Sequence, residues 1–124
     1  LYVKFNFTDA VYISALSAFI GHVFPLWLKF KGGKGVATYV GILFSLNFIF
    51  GLVFGICWLI IFFASKYSSL ASLTGSLSIP VYILIMERSE NVFFYIIMFI
   101  LIFFTHRENI KRLKNKEETK TKIY

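Results

Sequence analysis

From Val36 to Ala64 the chain runs twenty-nine residues without a formal charge. One helix of that length would reach about 44 Å, well beyond the roughly 30 Å hydrocarbon core of a bilayer. Two ordinary spans would need about forty residues. The run therefore reads either as one overlong helix or as two crossings, one of them short. Water is a poor solvent for either. Only 15% of the chain is charged, against about 25% in soluble domains. The apolar residues come in blocks rather than at one-face spacing, which is the pattern of helices solvated by lipid. The fold class expected is an all-α integral membrane protein, with a water-soluble fold as the alternative.

Charge placement decides between one crossing and two. Further apolar runs cover Ala10 to Leu28, Leu70 to Met86 and Val92 to Thr105. The net charge of +7 is carried by two basic islands, Lys29 to Lys34 and the tail from His106 to Tyr124, while the remaining charges cancel. Islands of this kind beside apolar spans face anionic headgroups and set orientation, so nucleic acid is not the expected partner. If both islands lie in the cytoplasm, an even number of spans must separate them, and the uncharged run crosses twice with a turn near Ser45 to Asn47. Five spans result, at about 10–28, 36–46, 48–65, 70–86 and 92–105, the second unusually short. The chain starts outside, and the basic tail 106–124 is cytoplasmic. Asp9 and the acidic "ERSEN" loop, 87–91, then fall outside and Lys66 inside, as the rule requires. Pro25 and Trp27 close the first span, the latter at the depth of the interfacial aromatic belt. The tail reads as a helix, with Glu108 and Arg112 at i, i+4, Ile110 and Leu113 toward the membrane surface, and a solvated end beyond Lys116.

Two stretches carry chemistry. In "KGGKG", Gly32, Gly33 and Gly35 permit backbone angles closed to other residues and let a ligand approach the main chain. The helix beginning near Val36 turns its amides and positive dipole end to the same place, and Lys34 adds a charge. The result is an anion cradle, although a plain interhelical turn with interfacial lysines is the alternative. It is not a Walker A loop, because no GK[ST] order and no strand are present. In "HREN", His106 and Asn109 share a helix face, as a polar pair or as part of a lipid-gripping basic helix. His22, near the end of the first span, faces a partner or cavity, or sits at the interface. Cys57 is alone in an apolar run, and no metal-ligand spacing appears.

"GHVFPLWLKFKGGKGVAT" (Gly21 to Thr38) and "HRENIKRL" (His106 to Leu113) closely resemble the second and third signature motifs of the bacterial acyl-phosphate-dependent glycerol-3-phosphate acyltransferase family. The resemblance covers essentially the entire chain and implies the last five of that family's seven helices. It implies an enzyme that moves a fatty acyl group from acyl phosphate to the 1-hydroxyl of glycerol 3-phosphate, giving lysophosphatidic acid in phospholipid synthesis. The protein would work at the bacterial cytoplasmic membrane, without a cofactor or metal. Gly32, Gly33, Lys34 and Gly35 are implied to bind the acceptor's phosphate. His106 and Asn109 are implied to be the activity residues. His22 is given a supporting role, and Glu118 a structural one. The family's first motif has no counterpart here and is expected upstream of Leu1. Lys116 stands where the third motif commonly has glycine.

Acyl phosphate carries its own leaving group, so the site has to hold two phosphates close together and align a hydroxyl. His106 and Asn109 would orient either the donor phosphate or the attacking hydroxyl, and the base is either His106 or a substrate phosphate. The alternatives are a non-enzymatic membrane component with a lipid-binding basic tail, an inactive portion of the enzyme, or a piece of a phosphate-solute transporter.

Overall fold

The computed structural model describes residues 7–23, 35–86 and 91–118. Six helices follow one another: α1 (Phe7–Val23), α2 (Val36–Leu46), α3 (Phe48–Ser65), α4 (Ser68–Ile85), α5 (Val92–Thr105) and α6 (Arg107–Lys114). The uncharged run is broken at Asn47, whose extended backbone ends α2 and whose side-chain oxygen caps α3 by accepting from Ile49 N at 3.0 Å. Asn is favoured at such a position because its carbonyl satisfies an orphan amide of the first turn. Lys66 closes α3 in the left-handed conformation, φ 65°, and Asn91 caps α5 by accepting from Phe93 N. Pro25 and Trp27 lie outside the described residues.

Contacts between the helices set their relative directions. Phe19 and Val23, late in α1, pack under Gly35 at the start of α2. Tyr39 of α2 meets Phe54 of α3 edge-on at 6.0 Å. Trp58, late in α3, bonds Ser72, early in α4, while Phe50, early in α3, meets Tyr82, late in α4. At the other end Tyr12, early in α1, lies 4.7 Å from Phe94, early in α5. Neighbours therefore alternate in direction, and α1 runs parallel to α5. The ends of α1, α3 and α5 share one end of the bundle with the starts of α2 and α4.

Hydropathy and burial run opposite to their relation in a water-soluble fold. The α3 window has mean hydropathy 2.5 yet is 17% buried, whereas α4, at 1.5, is 44% buried. Phe48, Ile56, Ile60 and Phe63 of α3 all point outward. The inward face of α4 is small and polar instead, with Ser69, Ala71, Ser72, Gly75 and Ser76 buried. In lipid, apolar side chains gain nothing by turning inward, and small faces allow close helix approach. At Gly75 an added Cβ would stand 3.1 Å from the Phe54 ring, tighter than ordinary contact.

Among the described residues, α3 and α4 are each long and apolar enough to cross a membrane. The α5 and α6 pair qualifies only together, across a 65° bend, and α1 and α2 are shorter apolar helices.

Candidate functional site

The 65° bend falls on His106, which ends α5 and precedes α6. A helix end leaves carbonyls without intrahelical partners, and His106 uses one of them. Its backbone amide donates to Ile102 O at 3.1 Å, and its ring Nδ1 lies 2.8 Å from the same oxygen. A carbonyl accepts and never donates, so the Nδ1 position carries the proton. In neutral His106 the lone pair is then on Nε2. Thr105 reinforces the arrangement: its hydroxyl donates to Ile102 O at 2.9 Å, and its oxygen lies 3.4 Å from Nδ1. His106 is 3% exposed.

One turn on, Asn109 is buried as well, whereas Arg107 and Glu108 between them face outward. Arg107 folds back, donating to Phe104 O and lying 4.5 Å over the Phe104 ring. The shared face of His106 and Asn109 expected from their spacing is thus the inward face of α6.

Asn109 is held by a carboxylate. Its Nδ2 donates to Glu118 Oε2 at 2.9 Å. The same oxygen accepts from Ser69 Oγ on α4 at 2.9 Å, and Oε1 accepts from Arg112 Nε at 3.1 Å. Three donors, one a guanidinium, converge on a side chain that is 8% exposed. This is the coordination an ionised carboxylate needs away from water. Two expectations are corrected here. Arg112 pairs with Glu118 rather than with Glu108, because the chain reverses after Lys116 (φ 60°) and brings a better-buried acceptor to it. Beyond Lys116, Glu117 is exposed as expected, but Glu118 is not, because its carboxylate is drawn back onto α4.

The sequence pattern does not single out Ser69 as a site residue, and it pairs Arg112 with Glu108. The signal for Ser69 lay in "SSLASLTGSLS", where Ser69, Ser72 and Ser76 fall on one helical face. A serine stripe in an apolar span marks a face that meets protein rather than lipid.

At the same end of the bundle Gly35 begins α2 with φ 87° and no side-chain cap, and its carbonyl accepts from Tyr39 N at 2.8 Å. That conformation favours glycine, and a Cβ would also strike the Phe19 ring. Gly32, Gly33 and Lys34 lie outside the described residues. His22 is exposed, and among the described contacts it does not join the Asn109–Glu118 group.

An apolar cavity of about 480 Å³ opens between α2, α3 and α4. It runs from Val36 and Ala37 past Val40 to Phe44, with Gly55, Trp58 and Ser72 opposite. Its polar end is the bond from Trp58 Nε1 to Ser72 Oγ, 3.1 Å long, one turn of α4 from Ser69.

The profile of a family described as "Glycerol-3-phosphate acyltransferase" matches residues 1–116. The chain belongs to the glycerol-3-phosphate acyltransferase family. It is 69% identical over its whole length to a "Glycerol-3-phosphate acyltransferase" of Pelagibacter ubique (strain HTCC1062), covering 64% of that protein. It is 45% identical over 90% of its length to one from Rhodopseudomonas palustris (strain TIE-1), covering 55% of that relative. The chain thus spans between about half and two thirds of the curated acyltransferases it matches. It is also similar to PlsY (YgiH), an integral membrane glycerol 3-phosphate acyltransferase. The crystal structure of the glycerol 3-phosphate form of PlsY shares 35% sequence identity with it and superposes with a TM-score of 0.84, over 90% of this chain and 56% of that one. The lysophosphatidic acid form gives 34% and 0.82. With its lipid-facing helices, this member of the acyltransferase family is a multi-pass membrane protein.

Proposed function

We propose that the full-length protein transfers a fatty acyl group from acyl phosphate to the 1-hydroxyl of glycerol 3-phosphate, releasing lysophosphatidic acid and inorganic phosphate. The observation that carries this is the inward face of α6: a buried imidazole fixed by a main-chain carbonyl and a buried amide held by a buried carboxylate, at the end of the bundle where Gly35 leads into α2. The glycerol 3-phosphate and lysophosphatidic acid forms of PlsY, similar over 90% of the chain, support the same acceptor and product.

Each part then has a task. Gly32, Gly33, Lys34 and Gly35, with the first-turn amides of α2, hold the acceptor's phosphate. These amides lack intrahelical partners and lie at the positive end of the helix dipole. Lys34 supplies charge to offset the repulsion between two phosphates. The apolar cavity takes the acyl chain, placing its carbonyl near the polar end. The hydroxyl oxygen attacks the acyl carbon, the bond from that carbon to the phosphate oxygen breaks, and phosphate leaves with the electron pair. The hydroxyl proton passes to His106 Nε2 and from there to the departing phosphate, so no acyl-enzyme forms. His22 and Glu118 support this arrangement without touching the reacting atoms. In this reading α1 to α5 make five crossings of the bacterial cytoplasmic membrane, and the glycine-rich turn and the tail lie in the cytoplasm.

The test is reconstitution. Full-length protein in lipid vesicles, given acyl phosphate and labelled glycerol 3-phosphate, should form lysophosphatidic acid. His106→Ala should reduce turnover by about a hundredfold or more, as expected for loss of a general base. Absence of product from the unmodified protein would refute the assignment. So would full activity of the variant, as far as His106 is concerned.

A further inference from the structure

The outer face of α6 carries a charge pattern that acyl transfer does not use. Arg107, Lys111 and Lys114 recur at i, i+4 and i+7, so they form one stripe along the helix. All three are exposed. Arg112 lies off the stripe, and its charge is matched by Glu118. Glu108 also lies to one side. Like charges one turn apart disfavour a helix, and eight residues are too few for propensity alone to hold one. Lys111 and Lys114 at least suit the negative end of the helix dipole, whereas Arg107 stands at the positive end. The stripe therefore has a physical reason only if something anionic lies along it from outside.

Arg107 fixes the depth of the stripe. Its guanidinium lies 4.5 Å over the Phe104 ring, and it donates to Phe104 O. Phe103 and Phe104 are each about half exposed on the outside of α5. In a bundle whose outward side chains are apolar, that outside meets lipid. A cation stacked on a lipid-facing ring stands at the boundary of hydrocarbon and headgroups. With α5 read as a crossing, the 65° bend lays α6 closer to the membrane plane than to its normal. Lys111 and Lys114 then continue from Arg107 along the same boundary. We infer that Arg107, Lys111 and Lys114 dock the headgroups of anionic phospholipid, which holds α6 from outside as Glu118 holds it from inside. Guanidinium and ammonium donate, and phosphodiester oxygens accept. An acidic soluble protein would meet the same charges but not the aromatic rings beneath them. The inference rests on α5 crossing the membrane and is independent of the acyl-transfer chemistry.

The experiment uses the full-length protein with a photoreactive benzophenone in place of the Phe103 ring. The vesicles hold equal amounts of phosphatidylglycerol and phosphatidylcholine with identical acyl chains. Irradiation should give adducts enriched in phosphatidylglycerol by about fivefold or more, the scale of one basic side chain at an anionic surface. A benzophenone at Ile56, exposed on α3, should give adducts in proportion to the vesicle composition. The combined Arg107→Gln, Lys111→Gln and Lys114→Gln variant should bring the Phe103 adducts to that same proportion. Lys66→Gln removes a charge at the same end of the bundle but off α6, and should leave the enrichment intact. In neutral detergent, added phosphatidylglycerol should raise the melting temperature of the unmodified protein above that with phosphatidylcholine. The triple variant should lose this difference. If the triple variant does not fold, Lys111→Gln and Lys114→Gln singly carry the test, each lowering the enrichment. Equal adducts of the two lipids in the unmodified protein overturn the inference, as does an enrichment unchanged in the variants. An enrichment that Lys66→Gln lowers as much as the stripe variants do also overturns it, because the charge of the whole end, and not this face, then recruits the lipid. No readout here depends on lysophosphatidic acid, so failure of the acyltransferase reading is seen separately in the reconstitution.

Discussion

Gly35 is a glycine for two separable reasons, and they predict different things from the charge of its neighbour. Its φ of 87° places it in the left-handed region, where an L side chain costs about 1–2 kcal/mol. The space a Cβ would need is already filled by Phe19 and Val23. Gly35→Ala should therefore lower the melting temperature of the purified protein in detergent by several degrees, a shift of the size that 1–2 kcal/mol produces in a domain of this length. An unchanged melting temperature would show that the turn is not held as described. Lys34→Ala should leave stability alone and raise the KM for glycerol 3-phosphate more than that for acyl phosphate. Equal effects on both substrates would remove Lys34 from the acceptor's phosphate site. The need for glycine at position 35 is legible in the sequence, because a bare turn before an apolar run has few other uses. The role of Ser69 is not, since its partner lies forty-nine residues away and nothing local to either residue announces the other.

Among the elements, α6 is the one whose position rests on polar contacts. It is eight residues long, too short to hold itself together by helix propensity alone. Ile110 and Leu113 are half-buried, and Glu118 closes the segment onto α4. Arg112 is 42% exposed, so its ion pair adds little. The buried bonds to Ser69 and Asn109 matter more, since removing a shared acceptor strands two donors at about 1–3 kcal/mol each. Glu118→Ala should therefore release the tail while α3 and α4 stay packed. Trypsin cleavage after Lys114 or Lys116 should accelerate by about tenfold or more, as about 1.4 kcal/mol of lost closure implies when cleavage follows the open population. An unchanged rate would mean that the tail is held by something other than this carboxylate. The break at Asn47 is legible in the sequence, because an uncharged run of this length is too long for one upright helix and the expectation of both basic islands on one side divides it near Ser45 to Asn47. The reversal after Lys116 is not. A left-handed lysine in "KNKEE" carries no signature, and the composition there is that of a solvated end.

Across the whole molecule, the alternation of helix direction determines which residues can ever meet. The chain of contacts from Phe19 and Val23 to Gly35, Trp58 to Ser72, and Ser69 to Glu118 places the start of α2 and the inward face of α6 at one end. Tyr12 and Phe94 mark the other. Among the described residues α3 and α4 are each long and apolar enough for a crossing, and the proposed five-span arrangement sets the membrane normal roughly along them. In that arrangement the end holding Gly35 and His106 lies at a single interface. In a Cys57→Ser background, cysteines placed singly at Lys34 and Lys116 of the full-length protein should react with an impermeant thiol reagent from the same side of sealed vesicles. A cysteine at Glu90 should react from the opposite side. The proposed orientation follows the positive-inside rule, with the basic residues of the turn and tail on the cytoplasmic side. Right-side-out vesicles should therefore label position 90, and inverted vesicles positions 34 and 116. Labelling of 34 and 116 from opposite faces would separate the proposed phosphate cradle from the imidazole by the thickness of the bilayer. No arrangement of the side chains described above could then act on one substrate.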